Sequence, residues 1–295
     1  MRKKGRQKDY GNVFATPLRY PGGKARLGPW LSRVMRHNRI SGGSYVEPYA
    51  GGSGAAIYLL TRGYVDHIVI NDLDPVIHAF WWSVLHDTDT FVELVEQTPV
   101  TVESWERQKA VHARFEEHST TDVGFATFFL SRTNRSGILT GGVIGGKKQS
   151  GPFPIDARFN KSNLIERIRH VASLKRHISV FREDAVDLIV GLKGELSRRS
   201  LIYLDPPYFH KGCQLYRNHC KPKDHAVIAT TICQIDIPWI VTYDNCPEIR
   251  DLYQGRQYAE FSMTYTASHK RITGREILFY GNLVLPESPT LSKSG

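Results

Sequence analysis

The chain has 295 residues, of which 41% are hydrophobic and 23% charged, with a formal net charge of +10. This composition is typical of a soluble globular protein with one large domain, or a domain plus a subdomain. No apolar run approaches the ~20 residues of a membrane-spanning helix, so we exclude a membrane protein. The basic residues 1–8 lead into no apolar stretch, so we expect no secretory signal.

The positive charge is concentrated in two segments. Residues 131–176, here called the basic region, hold ten Lys or Arg and two acids, and residues 1–8 hold five further cations. A basic region within an otherwise near-neutral chain predicts phosphate binding, and hence a nucleic acid partner. The alternative is an ordinary solvated surface. This interpretation is the weaker one, because residues 132–154 form a glycine-rich loop with little core-forming pattern.

The cysteines do not indicate a metal or redox site. None of the four forms a C-x-x-C pair, so a zinc cluster or a redox motif is not expected, and we predict no metal. Four cysteines without paired spacing fit a reduced, cytoplasmic setting, although a disulfide among them is not excluded. The residues are Cys213, Cys220, Cys233 and Cys246.

The amino-terminal third predicts a nucleoside site. Residues 18–24 form a compact loop with an aromatic and a cation, Tyr20 and Lys24. A strand follows at 44–49, and the glycine-rich turn at 50–56 opens a helix. The next strand, 67–70, ends at Asp72, in the position of a ribose-hydroxyl acceptor. The turn lacks GxGxxG spacing and the P-loop Gly-Lys-Ser/Thr, which favours a nucleoside over a phosphate-rich ligand.

The middle of the chain changes from helices to a glycine-rich loop. Residues 74–130 show helical apolar spacing, with aromatic residues that we interpret as core. Residues 132–154 then carry six glycines, and they predict either a hairpin that orders on DNA or a plain flexible linker. Side chains of this loop that can contact phosphates or base edges are Arg132, Asn134, Arg135, Lys147 and Lys148.

The carboxyl-terminal half returns to alternating elements. A helix from residue 161 is followed by strands at 178–181, 201–204 and 239–241, with helices between them. This order predicts an α/β fold with a doubly wound, mostly parallel sheet.

The strand 201–204 runs directly into Asp205, Pro206, Pro207 and Tyr208. Open α/β sheets place their active sites where such strands end. A carboxylate can accept one proton of a planar amino group. Pro206 has no N–H, so its carbonyl is a fixed acceptor for a second proton, and Tyr208 offers a face for stacking a base. The alternative is a simple turn, since Asp and Pro are turn residues.

Three motifs in this order resemble the Dam-like family of DNA adenine methyltransferases, the alpha group of amino-methylating enzymes. They are residues 20–24, 47–54 and 205–208, and weaker matches lie at 128–134, 183–185, 224–225 and 274–278. The resemblance spans about residues 17–282. The first motif has Tyr-Pro where many relatives have Trp-Ala, and the loop 132–153 differs from that of GATC-reading enzymes, so the target sequence stays open.

The resemblance implies a Rossmann-like methyltransferase fold that carries an inserted helical and hairpin DNA-recognition subdomain, with S-adenosylmethionine as methyl donor and double-stranded DNA as substrate. The catalytic residues would be Asp205, Pro206, Pro207 and Tyr208, which would hold a flipped-out adenine for methylation at its 6-amino group. The cofactor would contact Tyr20, Lys24, Glu47, Pro48, Ala50, Gly51, Gly52, Gly54, Asp72, Asp184 and Asp205.

The predicted domains are a basic arm (1–16), a catalytic domain (17–74 and 155–285), a target-recognition subdomain (75–154) and a disordered tail (286–295). We expect a cytoplasmic monomer of bacterial or phage origin, and a companion restriction endonuclease stays open. Two other interpretations also stay open: methylation of RNA adenine or of the cytosine 4-amino group, and a non-catalytic nucleic-acid binder that keeps the fold.

Overall fold

The computed structural model of the chain describes residues 16–209, 220–267 and 270–289. The predicted basic arm, apart from Thr16, lies outside the described residues, as do Cys213 and residues 290–295 of the predicted tail. Within the described part, no helix is long and apolar enough to cross a membrane.

Seven strands of the described residues form one sheet in the order β3-β2-β1-β4-β5-β7-β6. The first five run parallel, whereas β7 is antiparallel to both β5 and β6. The strands are β1 (Ser44–Glu47), β2 (His67–Asn71), β3 (Ile178–Phe181), β4 (Leu201–Leu204), β5 (Trp239–Asp244), β6 (Gln257–Ala267) and β7 (Lys270–Gly281).

Helices connect the parallel strands, and five of them, α3 to α7, lie between β2 and β3 in the chain. Several begin at a side-chain cap: the carboxylates of Asp74 and Asp184 accept the first free backbone N–H groups of α3 and α8. The described helices are α1 (Gly28–His37), α2 (Gly54–Thr61), α3 (Pro75–His86), α4 (Thr88–Gln97), α5 (Val102–Ala113), α6 (Thr120–Thr133), α7 (Lys161–Ser173), α8 (Ala185–Leu192), α9 (Pro222–Cys233) and α10 (Pro247–Leu252).

The central strands β1, β4 and β5 are buried on both faces, which explains why they are rich in apolar residues. Successive side chains of a strand point to opposite faces. In β4, Leu201 and Tyr203 join the core on one face, while Ile202 and Leu204 join the core on the other. Parallel strands with helices on both sides bury every residue in this way. The prediction of a doubly wound, mostly parallel α/β sheet is confirmed.

Two features differ from the expectation. The sequence did not indicate β6, an edge strand whose Tyr258 side chain is 54% exposed. In the loop after α6, the structure has consecutive turns and one isolated bridge, Asn134 with Val143, instead of a hairpin of two continuous strands. Backbones with positive φ at Gly137, Gly145 and Gly146 turn the chain too often for a ladder to form.

Candidate active site

A cavity of about 450 Å³ opens at the carboxyl ends of the parallel strands, beside β1 and β4. These neighbours mark the point where the strand order reverses, which is where open α/β sheets bind ligands. The cavity wall includes all eleven residues predicted to contact the cofactor, and it includes Pro207. Pro206 is buried and Tyr208 is half-buried.

The glycine-rich turn between β1 and α2 is shaped by the first motif. Gly51 has φ of 44°, and Ser53 has φ of 42°. A Cβ atom on Gly51 would lie 2.7 Å from the ring of Tyr20, and one on Gly54 would lie 2.5 Å from Cβ of Ala25. The segment around Tyr20 therefore packs directly on the turn, and larger residues would push the two apart.

Asp72, just beyond the end of β2, is held by backbone donors. Its Oδ2 accepts from the N–H of Gly51 at 2.8 Å, and its Oδ1 accepts from the N–H of Asp74 at 3.0 Å. Desolvation by the surrounding protein raises the pKa of Asp72 to about 7, although these two hydrogen bonds act in the opposite direction. The carboxylate is thus oriented in the cavity wall and costly to ionise there.

Glu47 ends β1 and is buried, with 5% of its surface exposed. Tyr45 donates to its Oε1 at 3.0 Å, and Ser53 and the N–H of Ala56 also bond it. Burial raises the pKa of Glu47 to about 8, in spite of these three donors. Two acids with pKa values far above normal therefore lie in one cavity, a feature that clusters at functional sites.

Asp205 follows β4 and meets two partners from distant parts of the chain. Lys24 Nζ lies 3.0 Å from its Oδ1, and the hydroxyl of Thr242 on β5 donates to the same oxygen at 2.8 Å. Both contacts are to Oδ1, so they fix the orientation of the carboxylate and leave Oδ2 as the oxygen suited to a substrate proton. Thr242 was not among the predicted residues, because nothing distinguishes a threonine within a strand.

Glu276 on β7 is a further acid of this site that the motifs did not indicate. It is 2% exposed, Tyr208 donates to its Oε1 at 3.3 Å, and Lys24 Nζ lies 3.9 Å from its Oε2. The ammonium of Lys24 also lies 5.7 Å from the centre of the Tyr208 ring. Lys24, Asp205, Tyr208 and Glu276 therefore form one connected group. The available signal was an acid directly before the apolar run 277–280.

The buried amide of Asn71 ties the loop ends together. Its Nδ2 donates to the carbonyls of Pro48 and Glu183, and its Oδ1 accepts from the N–H of Glu183. The ends of β1, β2 and β3 thus share one side chain. This positions Asp184, which lines the cavity and caps α8.

The residues predicted to bind DNA fall into different environments. Arg135 and Lys148 are exposed. Lys147 is 67% exposed but pairs with Glu106 at 2.8 Å, which offsets its charge. Arg132 is half-buried, and its Nε donates to the carbonyl of Pro17 at 2.9 Å.

The prediction that Asn134 contacts a phosphate or a base edge is wrong for this structure. The residue is fully buried. Its Oδ1 accepts from the indole of Trp105 at 2.6 Å, and its Nδ2 donates to the carbonyls of Ile138 and Leu139. The amide holds the loop on α5, because the indole of Trp105 and two carbonyls of the turn each need a buried hydrogen-bond partner.

The chain matches, over residues 20–267, the model of a family described as D12 class N6 adenine-specific DNA methyltransferase. The chain belongs to this family. It is therefore an enzyme that methylates adenine in DNA, and its methyl donor is S-adenosylmethionine. The predicted resemblance to Dam-like enzymes is confirmed, and the family's substrate gives no support to RNA, to cytosine or to a purely binding role.

Comparison with solved structures gives distant similarities. A protein from Pyrococcus horikoshii described as a candidate RNA methyltransferase has a TM-score of 0.42 at 10% identity, covering 91% of this chain and 89% of its own. A SAM-dependent methyltransferase from Agrobacterium tumefaciens has a TM-score of 0.41 at 10% identity, covering 88% and 63%. No curated protein matches the chain. Family membership rests on the family model.

Proposed function

We propose that this enzyme methylates the 6-amino group of an adenine flipped out of a short DNA sequence, with Asp205 and the carbonyl of Pro206 holding the amino group. The observation that carries the proposal is the doubly held Oδ1 of Asp205, bonded by Lys24 and Thr242. An acceptor with a fixed orientation at the mouth of a nucleoside cavity suits a planar amino group. The base must leave the stack to reach it.

The cavity wall fits S-adenosylmethionine. Asp72 is a half-buried carboxylate suited to the ribose hydroxyls, and the exposed apolar side chains of Leu73 and Val227 offer a surface for the purine. The turn around Gly51 would lie against the methionine part, and Asp184 would lie near the adenine. When bound, the cofactor supplies an electrophilic methyl group on a sulfonium. A cationic ligand also suits a wall that carries Glu47 and Asp72.

The residues of the motif prepare the amino nitrogen. Its lone pair is normally delocalised into the purine ring, which makes it a weak nucleophile. Hydrogen bonds from its two protons to Asp205 and to the Pro206 carbonyl would favour a pyramidal nitrogen with a localised lone pair. Tyr208, whose hydroxyl is tied to Glu276, would stack on the base and fix the ring plane. Positioning and preorganised electrostatics supply most of the effect.

The sequence-reading part of the enzyme is proposed to be residues 75–154, between the two catalytic segments 17–74 and 155–285. Support comes from the position of α3 to α6 between β2 and β3, and from the exposed cations Arg135 and Lys148 that follow them. We further propose that a single copy suffices, because one chain presents both the cavity and the cations. The enzyme would act in the cytoplasm of a bacterium or a phage-infected cell, with or without a companion endonuclease.

The test is transfer of a tritiated methyl group from S-adenosylmethionine to unmethylated plasmid DNA, followed by single-molecule sequencing of the product. We expect N6-methyladenine in one short motif, which would also give the site that any companion endonuclease shares. Asp205→Ala should lower kcat at least about 1,000-fold, since it removes the acceptor, while DNA affinity is largely kept.

A matched control is Asp236→Asn, which changes an exposed acid just before the opposite end of β5. This variant should retain wild-type turnover. Near-normal turnover by Asp205→Ala would disprove the assigned role of Asp205. Absence of any DNA methylation by the wild type, with cofactor binding intact, would overturn the proposed substrate.

A further inference from the structure

Four arginines lie together outside the cofactor cavity and come from three separate parts of the chain. We call them the arginine cluster: Arg19, Arg132, Arg158 and Arg167. Arg132 Nε donates to the carbonyl of Pro17 at 2.9 Å, and Arg167 Nη1 donates to the carbonyl of the preceding Thr16 at 3.5 Å. Arg19 Nη1 donates back to the carbonyl of Asn134 at 3.2 Å. Two guanidinium groups, those of Arg132 and Arg167, therefore converge on the backbone segment that carries Arg19.

The cluster concentrates positive charge. Burial, and after it repulsion by Arg167, Arg19 and Arg158 in that order, lowers the pKa of Arg132 to about 9. The pKa of Arg19 is lowered by burial and then by Arg158. The contacts named above are to neutral carbonyl oxygens, and Glu166 is the acid that acts on Arg167. Like charges held this close favour an anion from outside the chain.

The cluster also adjoins the active site. Arg19 directly precedes Tyr20, whose ring packs on the glycine-rich turn between β1 and α2, here called the cofactor turn. Thr16 donates to the carbonyl of Gly52 in the same turn at 2.6 Å. On the other side, Arg19 packs on Gly137, where a Cβ atom would lie 3.2 Å from its Cγ. The segment 16–20 thus has the cofactor cavity on one side and the basic region on the other.

Solvent reaches the cluster, because Arg158 is exposed while the other three members are half-buried. Arginine binds phosphate through paired N–H donors in a fixed geometry, and several such groups can share one phosphodiester.

We infer that the arginine cluster binds a backbone phosphate of the DNA substrate close to the flipped adenine. This inference deepens the proposed function and rests on it. A phosphate held here would be fixed relative to Tyr20 and the cofactor turn, because the same backbone segment carries both. Contacts to the backbone position a duplex without reading its sequence, so the cluster would set where the target nucleotide enters the cavity.

The test compares Arg158→Gln and Arg167→Gln with Arg169→Gln in the full-length protein. Arg169 is an exposed residue of α7, two positions from Arg167 and outside the cluster, and its change removes the same charge. Fluorescence anisotropy would measure the affinity for fluorescent duplexes of two unrelated sequences over a range of salt concentrations, and calorimetry would measure cofactor binding.

We expect each cluster variant to weaken binding of both duplexes about tenfold and to reduce the slope of log K against log salt by about 0.9, the value for one lost phosphate contact. Arg169→Gln should do clearly less, and cofactor affinity should be unchanged in all three. Arg158→Lys should recover part of the affinity, because it restores the charge without the paired donors.

Equal effects of the cluster variants and Arg169→Gln would overturn the inference, because general charge would then explain the loss. A loss confined to one duplex sequence would also overturn it, because a phosphate contact reads no sequence. Failure of the proposed function is distinguishable, since it would appear as absent DNA methylation by the wild type. Inorganic phosphate at constant ionic strength serves as competitor: it should lower the wild-type affinity toward that of the cluster variants, and a wild-type advantage that persists at saturating phosphate would overturn the phosphate contact.

Discussion

The cofactor cavity and the basic region are both built from loops, but their charged and polar side chains are used differently. In the cavity wall, Glu47, Asp72 and Asp205 are each fixed by donors from other segments and still face the ligand space. In the basic region, Asn134 and Arg132 bond the protein's own backbone, while Arg135 and Lys148 are exposed.

The difference shows where residue type is a sufficient guide to function. At the carboxyl ends of parallel strands the backbone already directs a side chain into the crevice, so an acid found there is a good candidate for ligand binding. In a turn-rich loop, the backbone polar groups need partners that regular structure does not supply. A polar side chain such as Asn134 is then consumed by the loop itself.

After Asp205→Ala, the largest effect is expected from Glu276→Gln, which tests whether the catalytic group of side chains includes a residue outside the three motifs. The change keeps the shape but removes the negative charge that faces Lys24, and it replaces one of the two oxygens that meet Lys24 and Tyr208 by an NH₂ group. Lys24 would then bind Asp205 more strongly and weaken it as an acceptor. We expect kcat to fall about 100-fold, measured by methyl transfer at saturating DNA and cofactor.

The control for Glu276→Gln is Glu260→Gln, on the neighbouring strand β6, where the side chain is 48% exposed and pairs with Arg250. It should keep normal turnover. If Glu276→Gln kept the wild-type kcat, Glu276 would have no role in the reaction.

Asn134→Ala tests the structural use of the basic region. It leaves the Trp105 indole and the carbonyls of Ile138 and Leu139 without their present partner. Buried polar groups left unsatisfied should lower the free energy of unfolding by about 2–4 kcal/mol. Urea denaturation followed by circular dichroism would measure it.

Lys148→Gln is the opposite case, because its exposed side chain should affect DNA affinity and leave the free energy of unfolding unchanged. If Asn134→Ala unfolded like the wild type and only DNA affinity fell, the assignment of Asn134 to the fold would be incorrect.

Gly51→Ala tests how tightly the first motif closes on the cofactor turn. Gly51 and Gly63 both have positive φ, 44° and 69°, so alanine costs about 1 kcal/mol of backbone strain at either. At Gly51 the new Cβ would also meet the Tyr20 ring, whereas nothing lies within 4 Å of it at Gly63. By calorimetry, we expect Gly51→Ala to bind the cofactor about tenfold more weakly, which corresponds to about 1.4 kcal/mol of binding free energy. Gly63→Ala should bind the cofactor as the wild type does. If the two variants bound the cofactor with equal affinity, the contact between Tyr20 and the turn would not contribute to cofactor binding.

The smallest effect concerns pH. The folded protein holds Asp72 and Glu47 at pKa values of about 7 and about 8, above their ordinary values. Their contribution to stability is therefore present below pH 4 and is lost as pH rises through 7 to 8. Thermal unfolding of the protein without cofactor should therefore shift to lower temperature between pH 5 and pH 8.

Cofactor affinity should change in the other direction, severalfold upward as pH rises through 7, because the ribose hydroxyls favour ionised Asp72. Asp72→Asn leaves the titrating groups of the cofactor unchanged, so it should flatten the dependence of cofactor affinity on pH. The same pH dependence in wild type and variant would contradict the role of Asp72.

Much of the fold was predictable, because a buried parallel strand has a simple pattern. β3 and β4 begin and end where their apolar runs do. Edge strand β6 was missed because its exposed side chains, such as Tyr258, do not mark it as buried. The cavity residues followed from strand ends and glycines, whereas Thr242 and Glu276 reach the site from β5 and β7 only through pairing of distant strands. Such contacts have no local sequence signal.

The cofactor turn is also attached to the inserted helices. The indole of Trp81, in α3, donates to the carbonyl of Gly51 at 2.9 Å, and Gly51 in turn donates to Asp72. Any shift of this turn when the cofactor binds is passed directly to the first helix of the proposed recognition subdomain. Cofactor and DNA would then be linked ligands, each changing the affinity of the other by the same factor. The hydrogen bond between Trp81 and Gly51 would be the contact that carries this coupling from the turn to α3.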